Sequence, residues 1–182
     1  MKEIRLHGRG GQGGVTSAEL VAIAAIDEGR YAQAFPSFGP ERRGAPVMAF
    51  VRVSDNQIRT REKVYNPDIV LVLDPSLPSL VNVADGMSED GIVILNTHLN
   101  ADEVRSKFGI KTKIATVDAT KIASEVLGLP ITNTTMLGAL LKATGIVGKD
   151  ALEKALEKRF GRLAEKNKAA MGRAYEETVV AG

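Results

Sequence analysis

Five glycines fall within seven residues near the start of the chain, in Gly8-Arg9-Gly10-Gly11-Gln12-Gly13-Gly14. Positions 8, 10 and 13 satisfy G-x-G-x-x-G, a spacing that acts chemically when a strand precedes it and a helix follows. Glycine permits positive φ and lets backbone N–H groups approach a ligand. A helix opening just beyond it offers free N–H groups and a positive dipole end to an anion. Arg9 adds a charge, Gln12 an amide, and Thr16 and Ser17 add hydroxyls. The simpler use of such a loop is a tight turn that packs strand on helix.

A second group lies in Tyr31-Ala-Gln-Ala-Phe-Pro-Ser-Phe-Gly-Pro-Glu-Arg-Arg-Gly-Ala-Pro46. Arg42 and Arg43 can each meet a phosphate or carboxylate in bidentate fashion. Glu41 is placed to orient one of them, and Ser37 contributes a hydroxyl. Phe35 and Phe38 suit a planar ligand or a socket on a neighbouring subunit. Prolines 36, 40 and 46 lower the entropy of ordering this stretch in advance. The alternative is a structured surface loop with solvated arginines. The cofactor-binding candidates are therefore Gly8, Arg9, Gly10, Gly11, Gln12, Gly13, Gly14, Thr16, Ser37, Arg42 and Arg43.

Other chemistries find no residues. There is no cysteine, which excludes a thiolate nucleophile, zinc–thiolate sites and cysteine-ligated clusters on this chain. The two histidines, His7 and His98, make no nucleophile–base–orienter set. No catalytic residue and no metal ligand is assigned. His7 closes a first strand and reads as a hydrogen-bonded structural residue. Asp74 ends a strand, either as a turn residue before Pro75 or on the crevice side of a sheet. A dinucleotide fold also needs an acidic residue about 20 positions past the glycines, at the end of the next strand. Asp27 and Glu28 fall on the first helix and Glu41 in a proline-rich loop, so NAD is disfavoured.

The elements that position these residues follow from hydrophobic period. Residues 3–7 alternate as a strand, and Val15 to Gly29 read as a helix with Gly29 as its stop. Residues 31–46 read as a kinked loop, Val47 to Val53 as a strand, and Ser54-Asp55-Asn56 as a turn into a second strand near Gln57 to Arg61. Ile69-Val70-Leu71-Val72-Leu73 and Ile92-Val93-Ile94-Leu95 are continuous apolar runs, as in a parallel sheet covered on both faces. Between them a short helix is expected near Pro78 to Val83. Ala101 to Phe108 reads as a helix, Lys113 to Val117 as a strand, and Thr120 to Leu127 and Asn133 to Thr144 as helices.

Residues 149–178 carry Leu152, Leu156, Phe160, Leu163, Met171, Ala174 and Tyr175 near a 3.6 period, with Gly161 as an interior weak point. This segment packs on its own domain or docks on a partner subunit. The expected architecture is α/β: a three-layer, mostly parallel sheet with helices on both faces and a long C-terminal helical segment. The division is an α/β domain over residues 1–148 and a helical segment over 149–182.

A chain of 182 residues with 44% hydrophobic and 25% charged residues is an ordinary globular composition. The net charge of +2 gives no reason to expect nucleic acid or a membrane surface. The N-terminus enters a strand pattern at once, without a signal-peptide core, and no apolar run reaches the roughly 18 residues of a membrane span. The expected location is cytoplasmic.

With both segments in view, the sequence resembles the gamma subunit of the 2-oxoacid:ferredoxin oxidoreductases, of the pyruvate synthase type. Four stretches carry the resemblance: Gly8 to Gly14, Phe35 to Pro46, Asn66-Pro67-Asp68-Ile69-Val70, and Asn133-Thr-Thr-Met-Leu-Gly138. The resemblance runs to about residue 175, and the Phe35–Pro46 stretch is the most specific of the four.

It implies an enzyme that decarboxylates a 2-oxoacid on thiamine diphosphate, passes electrons through iron–sulfur clusters to ferredoxin, and delivers the acyl group to coenzyme A. Thiamine diphosphate, Mg2+ and the clusters would then sit on alpha, beta and delta-type partner subunits, with no cofactor on this chain. Coenzyme A is a substrate of the complex, and this chain packs on its partners and helps hold it. The isolated chain is expected to be inactive. The competing reading is a stand-alone α/β domain that binds NAD(P) or senses a nucleotide.

Overall fold

The fold, taken from a computed structural model, is described for residues 1–37 and 44–182. A seven-stranded sheet runs through it. The strands are β1 (Lys2–Arg9), β2 (Tyr31–Pro36), β3 (Pro46–Ser54), β4 (Ile69–Val72), β5 (Ile92–Asn96), β6 (Lys113–Val117) and β7 (Val179–Ala181). They lie in the order β2-β3-β1-β4-β5-β6-β7. β1, β4, β5 and β6 are successive parallel neighbours, and β3 and β7 run antiparallel against the two ends of that block. β2 pairs antiparallel with β3 and so shares the direction of β1.

The continuous apolar runs are explained by burial on both faces. Ile69, Leu71, Ile92 and Ile94 enter one core, while Val70, Val72, Val93 and Leu95 enter another on the opposite side. The first core is the larger. It is closed by α1 (Gly14–Asp27), α3 (Ala119–Leu127), α4 (Asn133–Thr144), α5 (Lys149–Phe160) and α6 (Ala164–Glu177). The second is covered by α2 (Ala101–Phe108) and a 3-10 turn at Leu77–Ser79. α2 has a full capping box, with Asn100 accepting from the Glu103 N–H and the Glu103 carboxylate accepting from the Asn100 N–H.

α4 is buried without interruption from Asn133 to Leu141 because α6 lies directly on it. Gly138 makes that approach possible: a Cβ there would stand 2.0 Å from the Met171 carbonyl oxygen.

Several expectations change. Residues 31–36 are a strand: β2 is an edge strand, where a terminal proline costs no ladder bond that the sheet needs. Gln57 to Arg61 form no strand, because both edges of β3 are already occupied by β2 and β1. The helix expected near Pro78 to Val83 is the single turn Leu77–Ser79. Gly8 and Arg9 belong to β1, paired with Val47 and Pro46, so the glycine turn proper begins at Gly10. The C-terminal segment breaks at Gly161, whose φ of 53° ends α5, and a 3-10 turn leads into α6. Beyond α6 the chain adds β7, too short to show a period of its own. Among the described residues no helix is long and apolar enough to cross a membrane.

Candidate functional site

β1 is the point where the sheet changes direction of winding. The chain leaving β1 crosses the face covered by α1, whereas the chain leaving β4 crosses the opposite face through Leu77. Their carboxyl ends therefore open a crevice, the usual ligand position in an open α/β sheet. The glycine turn sits at its mouth and runs into α1, whose first residue follows Gly13 with no side-chain cap.

The turn is held by its own side chains. Gln12 Oε1 accepts from the Arg9 N–H at 2.7 Å, and Gln12 Nε2 donates to Asp74 Oδ2 at 2.6 Å. Arg9 reaches three groups: Nη1 donates to the Gly44 carbonyl at 3.0 Å, Nη2 to Ser76 Oγ at 2.7 Å, and Nε lies 3.3 Å from Asp74 Oδ2. Burial alone would raise the Asp74 carboxyl. Hydrogen bonds from Ser76 and Gln12 together with the Arg9 charge outweigh it and hold the group below its ordinary value. The Asp74 carboxylate thus faces the crevice and is also a turn acceptor for the Ser76 N–H.

Gly13 is required twice over. Its φ is +77°, and an added Cβ would meet Asn133 Nδ2 at 2.5 Å. The Ser17 hydroxyl donates to the Asn133 carbonyl, so it braces α1 against α4 and does not face a ligand. Gly11, at φ +89°, has open space where a Cβ would go. Thr16 is half-buried in the first turn of α1. Ser37 follows β2, its N–H donating to the Met48 carbonyl. Arg42 and Arg43 lie outside the described residues. The residues flanking that segment lead to the crevice, since Gly10 N–H donates to the Ala45 carbonyl at 3.0 Å.

Asn133, Ser76 and Asn96 were not singled out from sequence. Asn96 Nδ2 donates both to the Leu73 carbonyl and to Thr120 Oγ1, tying β4 to β5 and α3 at the crevice floor. Only the Asn133-Thr-Thr-Met-Leu-Gly stretch drew attention to any of these, because a lone Asn or Ser carries no period.

His7 is buried on the opposite face. Its Nε2 accepts from Arg5 Nε at 3.0 Å. Burial, reinforced by the Arg5 charge, lowers its pKa to about 4, so the ring is neutral at pH 7. Burial also lowers Arg5, with Asp85 opposing.

The geometry does not support a dinucleotide site. The strand following α1, β2, lies two strands from β1 and not beside it, and no acidic residue ends it.

Comparison with known proteins agrees with the fold. The chain is 56% identical over 182 residues to the common gamma subunit of pyruvate/ketoisovalerate oxidoreductases of Thermococcus litoralis, covering 99% of this chain and 98% of the relative. It is 52% identical over 178 residues to the pyruvate synthase subunit PorC of Methanothermobacter thermautotrophicus, covering 97% and 96%. The crystal structure of the pyruvate oxidoreductase subunit PORC of Thermotoga maritima superposes with a TM-score of 0.88 at 44% identity, covering 100% of this chain and 98% of that one. The family pattern matches from residue 3 to residue 177, and the chain belongs to the pyruvate ferredoxin/flavodoxin oxidoreductase family.

Proposed function

We propose that this chain is the gamma subunit of a multisubunit 2-oxoacid:ferredoxin oxidoreductase. Its reaction converts pyruvate, coenzyme A and oxidised ferredoxin to acetyl-CoA, CO2 and reduced ferredoxin. The observation that carries this reading is similarity along nearly the whole chain to subunits that bear the gamma or PorC name. Thiamine diphosphate with Mg2+ on the sister subunits supplies the decarboxylation, and their iron–sulfur clusters take the electrons. A chain without cysteine does not fit a cysteine-ligated cluster, and among the described residues no acidic–histidine group is arranged for a metal. The assembly joins this chain to alpha, beta and delta-type subunits in the cytoplasm.

In this reading the crevice handles coenzyme A. The uncapped N-terminus of α1, Arg9, and Arg42 with Arg43 hold its phosphates. Gly10, Gly11 and Gly13 allow the backbone to close on them, and Gly8, Gly14, Thr16 and Ser37 border the same opening. Gln12 holds the turn in shape through Asp74. Arg9 is already paired with Asp74, so a phosphate arriving there exchanges for a carboxylate.

The test uses the assembled enzyme. Charge reversal of Arg42 and Arg43 to Glu is expected to raise the apparent KM for coenzyme A while ferredoxin kinetics stay unchanged. An unchanged KM with a dissociated complex would overturn the coenzyme role and make the two arginines interface residues. Purification of the tagged chain from its own host without larger, cysteine-rich partners would overturn the subunit reading itself.

A further inference from the structure

The two edges of the sheet differ in how they are protected. β7 closes one edge with three residues, a shortness that blunts it. β2 closes the other with six, Tyr31 to Pro36, paired to β3 without a bulge and carrying no charge. Folded proteins commonly guard a strand edge with lysines, inward charges or bulges, and β2 has none of these.

The hydrogen-bond pattern decides which groups this edge offers. The Ser37 N–H donates to the Met48 carbonyl at 2.8 Å, in the same register that pairs Phe35 with Phe50 and Gln33 with Arg52. Residues 31, 33, 35 and 37 therefore bond to β3. The alternation of an antiparallel ladder turns the N–H and C=O of Ala32 and Ala34 outward. These groups have no partner among the described residues. Pro36 stands at the next outward position, where its missing N–H is no loss to β3. Open space of about 380 Å3 lies beside Gln33, Ala34 and Phe35, bounded also by the exposed Arg61.

The outward groups are self-complementary. A two-fold axis normal to the sheet, passing between Gln33 and its copy, sets Ala32 of each chain opposite Ala34 of the other. Four bonds, two donated by each copy, then satisfy every outward N–H and C=O of the two alanines. Moving the axis toward Pro36 sets its ring against an Ala32 carbonyl. Moving it toward Tyr31 calls on the Arg30 N–H, which already donates to the Ala25 carbonyl at 3.1 Å.

Both faces of such a junction fit. On one face Tyr31, 50% exposed, falls opposite Phe35 of the copy, an aromatic cross-strand pair formed twice. On the other, α1 lies on β2 and β3. Two strand spacings, about 10 Å, then separate α1 from its copy, the ordinary distance between packed helices. Ile23 and Ile26, 41% and 54% exposed on α1, supply apolar surface for that contact.

We propose that β2 is an interface between two copies of this chain, joined edge to edge about Gln33 into one continuous sheet. This goes beyond the subunit reading: the assembled enzyme then holds this chain in pairs.

The chain has no cysteine, so one introduced at residue 33 reports the axis directly. A non-hydrogen-bonded antiparallel pair holds its Cα atoms about 4.5 Å apart, within reach of a disulfide. In the enzyme purified with its sister subunits, mildly oxidised Gln33→Cys is expected to give a covalent dimer of this chain on a denaturing, non-reducing gel. Glu89→Cys, an exposed position away from the edge, is expected to give none. Ala34→Pro keeps every bond from β2 to β3 and removes two of the four across the axis. Sedimentation of the full chain should show dimerisation about tenfold weaker in this variant, with circular dichroism unchanged. The cross-link does not depend on how that variant folds. A Gln33→Cys chain that cross-links no more than Glu89→Cys would overturn the proposal, as would a wild-type dimer that Ala34→Pro leaves as tight. Cross-linking of Gln33→Cys to a larger chain would overturn it too, and would give this edge to a sister subunit.

Discussion

The Gln12 side-chain amide donates to Asp74 Oδ2 at 2.6 Å, and its oxygen accepts from the Arg9 backbone N–H at 2.7 Å. One side chain thus joins the glycine turn after β1 to the loop that follows β4. Asp74→Asn removes the charge that Arg9 and Gln12 share. A loss of about 1–3 kcal/mol is expected in urea unfolding at pH 7. The Asp74 carboxyl lies below its ordinary value, so its contribution is present at neutral pH and lost as pH falls through the depressed folded value. The variant's deficit should therefore shrink toward strong acid.

Gly11 and Gly13 share a left-handed φ and differ in what surrounds them. Alanine at 11 meets open space, so only the backbone penalty of about 1–2 kcal/mol applies. Alanine at 13 also strikes Asn133, adding an overpacking cost of about 1–3 kcal/mol. A double-mutant cycle between Gly13→Ala and Asn133→Ala should recover that second part alone. Additive single effects would show that the two residues do not press on each other.

The α4–α6 contact offers a paired test within one helix pair. Gly138→Ala drives a Cβ into the Met171 carbonyl, and a loss of about 3 kcal/mol is expected. Gly172→Ala, inside α6 with nothing near its Cβ, should gain about 0.5–1 kcal/mol from helix propensity. Thermal unfolding of the two variants should move in opposite directions.

His7 sets an acid limb on stability. Its folded pKa is lowered to about 4 against 6.5 in the unfolded chain. The unfolded state therefore takes up the proton first as pH falls. The stabilisation is whole above pH 6.5 and is lost between there and about 4, amounting to about 3 kcal/mol. His7→Gln, which keeps an acceptor for Arg5, should flatten that limb in urea titrations run from neutral pH down to pH 4. Parallel curves for the two proteins would show that His7 does not carry it.

The parts of this fold legible in the sequence were those whose cause is local. Ile69 to Leu73 reads as a doubly buried strand because every residue of the run meets a core. Gly161 marks a break because only glycine readily takes its backbone angle. β2 was hidden because Pro36 and its half-exposed residues resemble a loop, and its pairing with β3 is a tertiary fact. The glycine turn announced itself by composition. Its restraints did not, since Asp74, Ser76 and Asn133 come from distant segments and act as single residues. Arg5 and His7 looked like alternating strand positions; that both line one cavity depends on which face of the sheet lacks a helix.

β7 runs antiparallel to β6 with Ala181 opposite Ile114, near the start of that strand. β1 begins at Lys2, ahead of the Ile4–Ile69 pair that opens the parallel block. Residues 2 and 181 therefore lie at the same end of the sheet, away from the crevice. Four strand spacings, from β1 across β4, β5 and β6 to β7, separate them by about 19 Å. About six extended residues would bridge that distance. The ring can then be closed at this end and reopened at an exposed bend such as Asp55 and Asn56, giving a circular permutant whose glycine crevice keeps every covalent connection it has now.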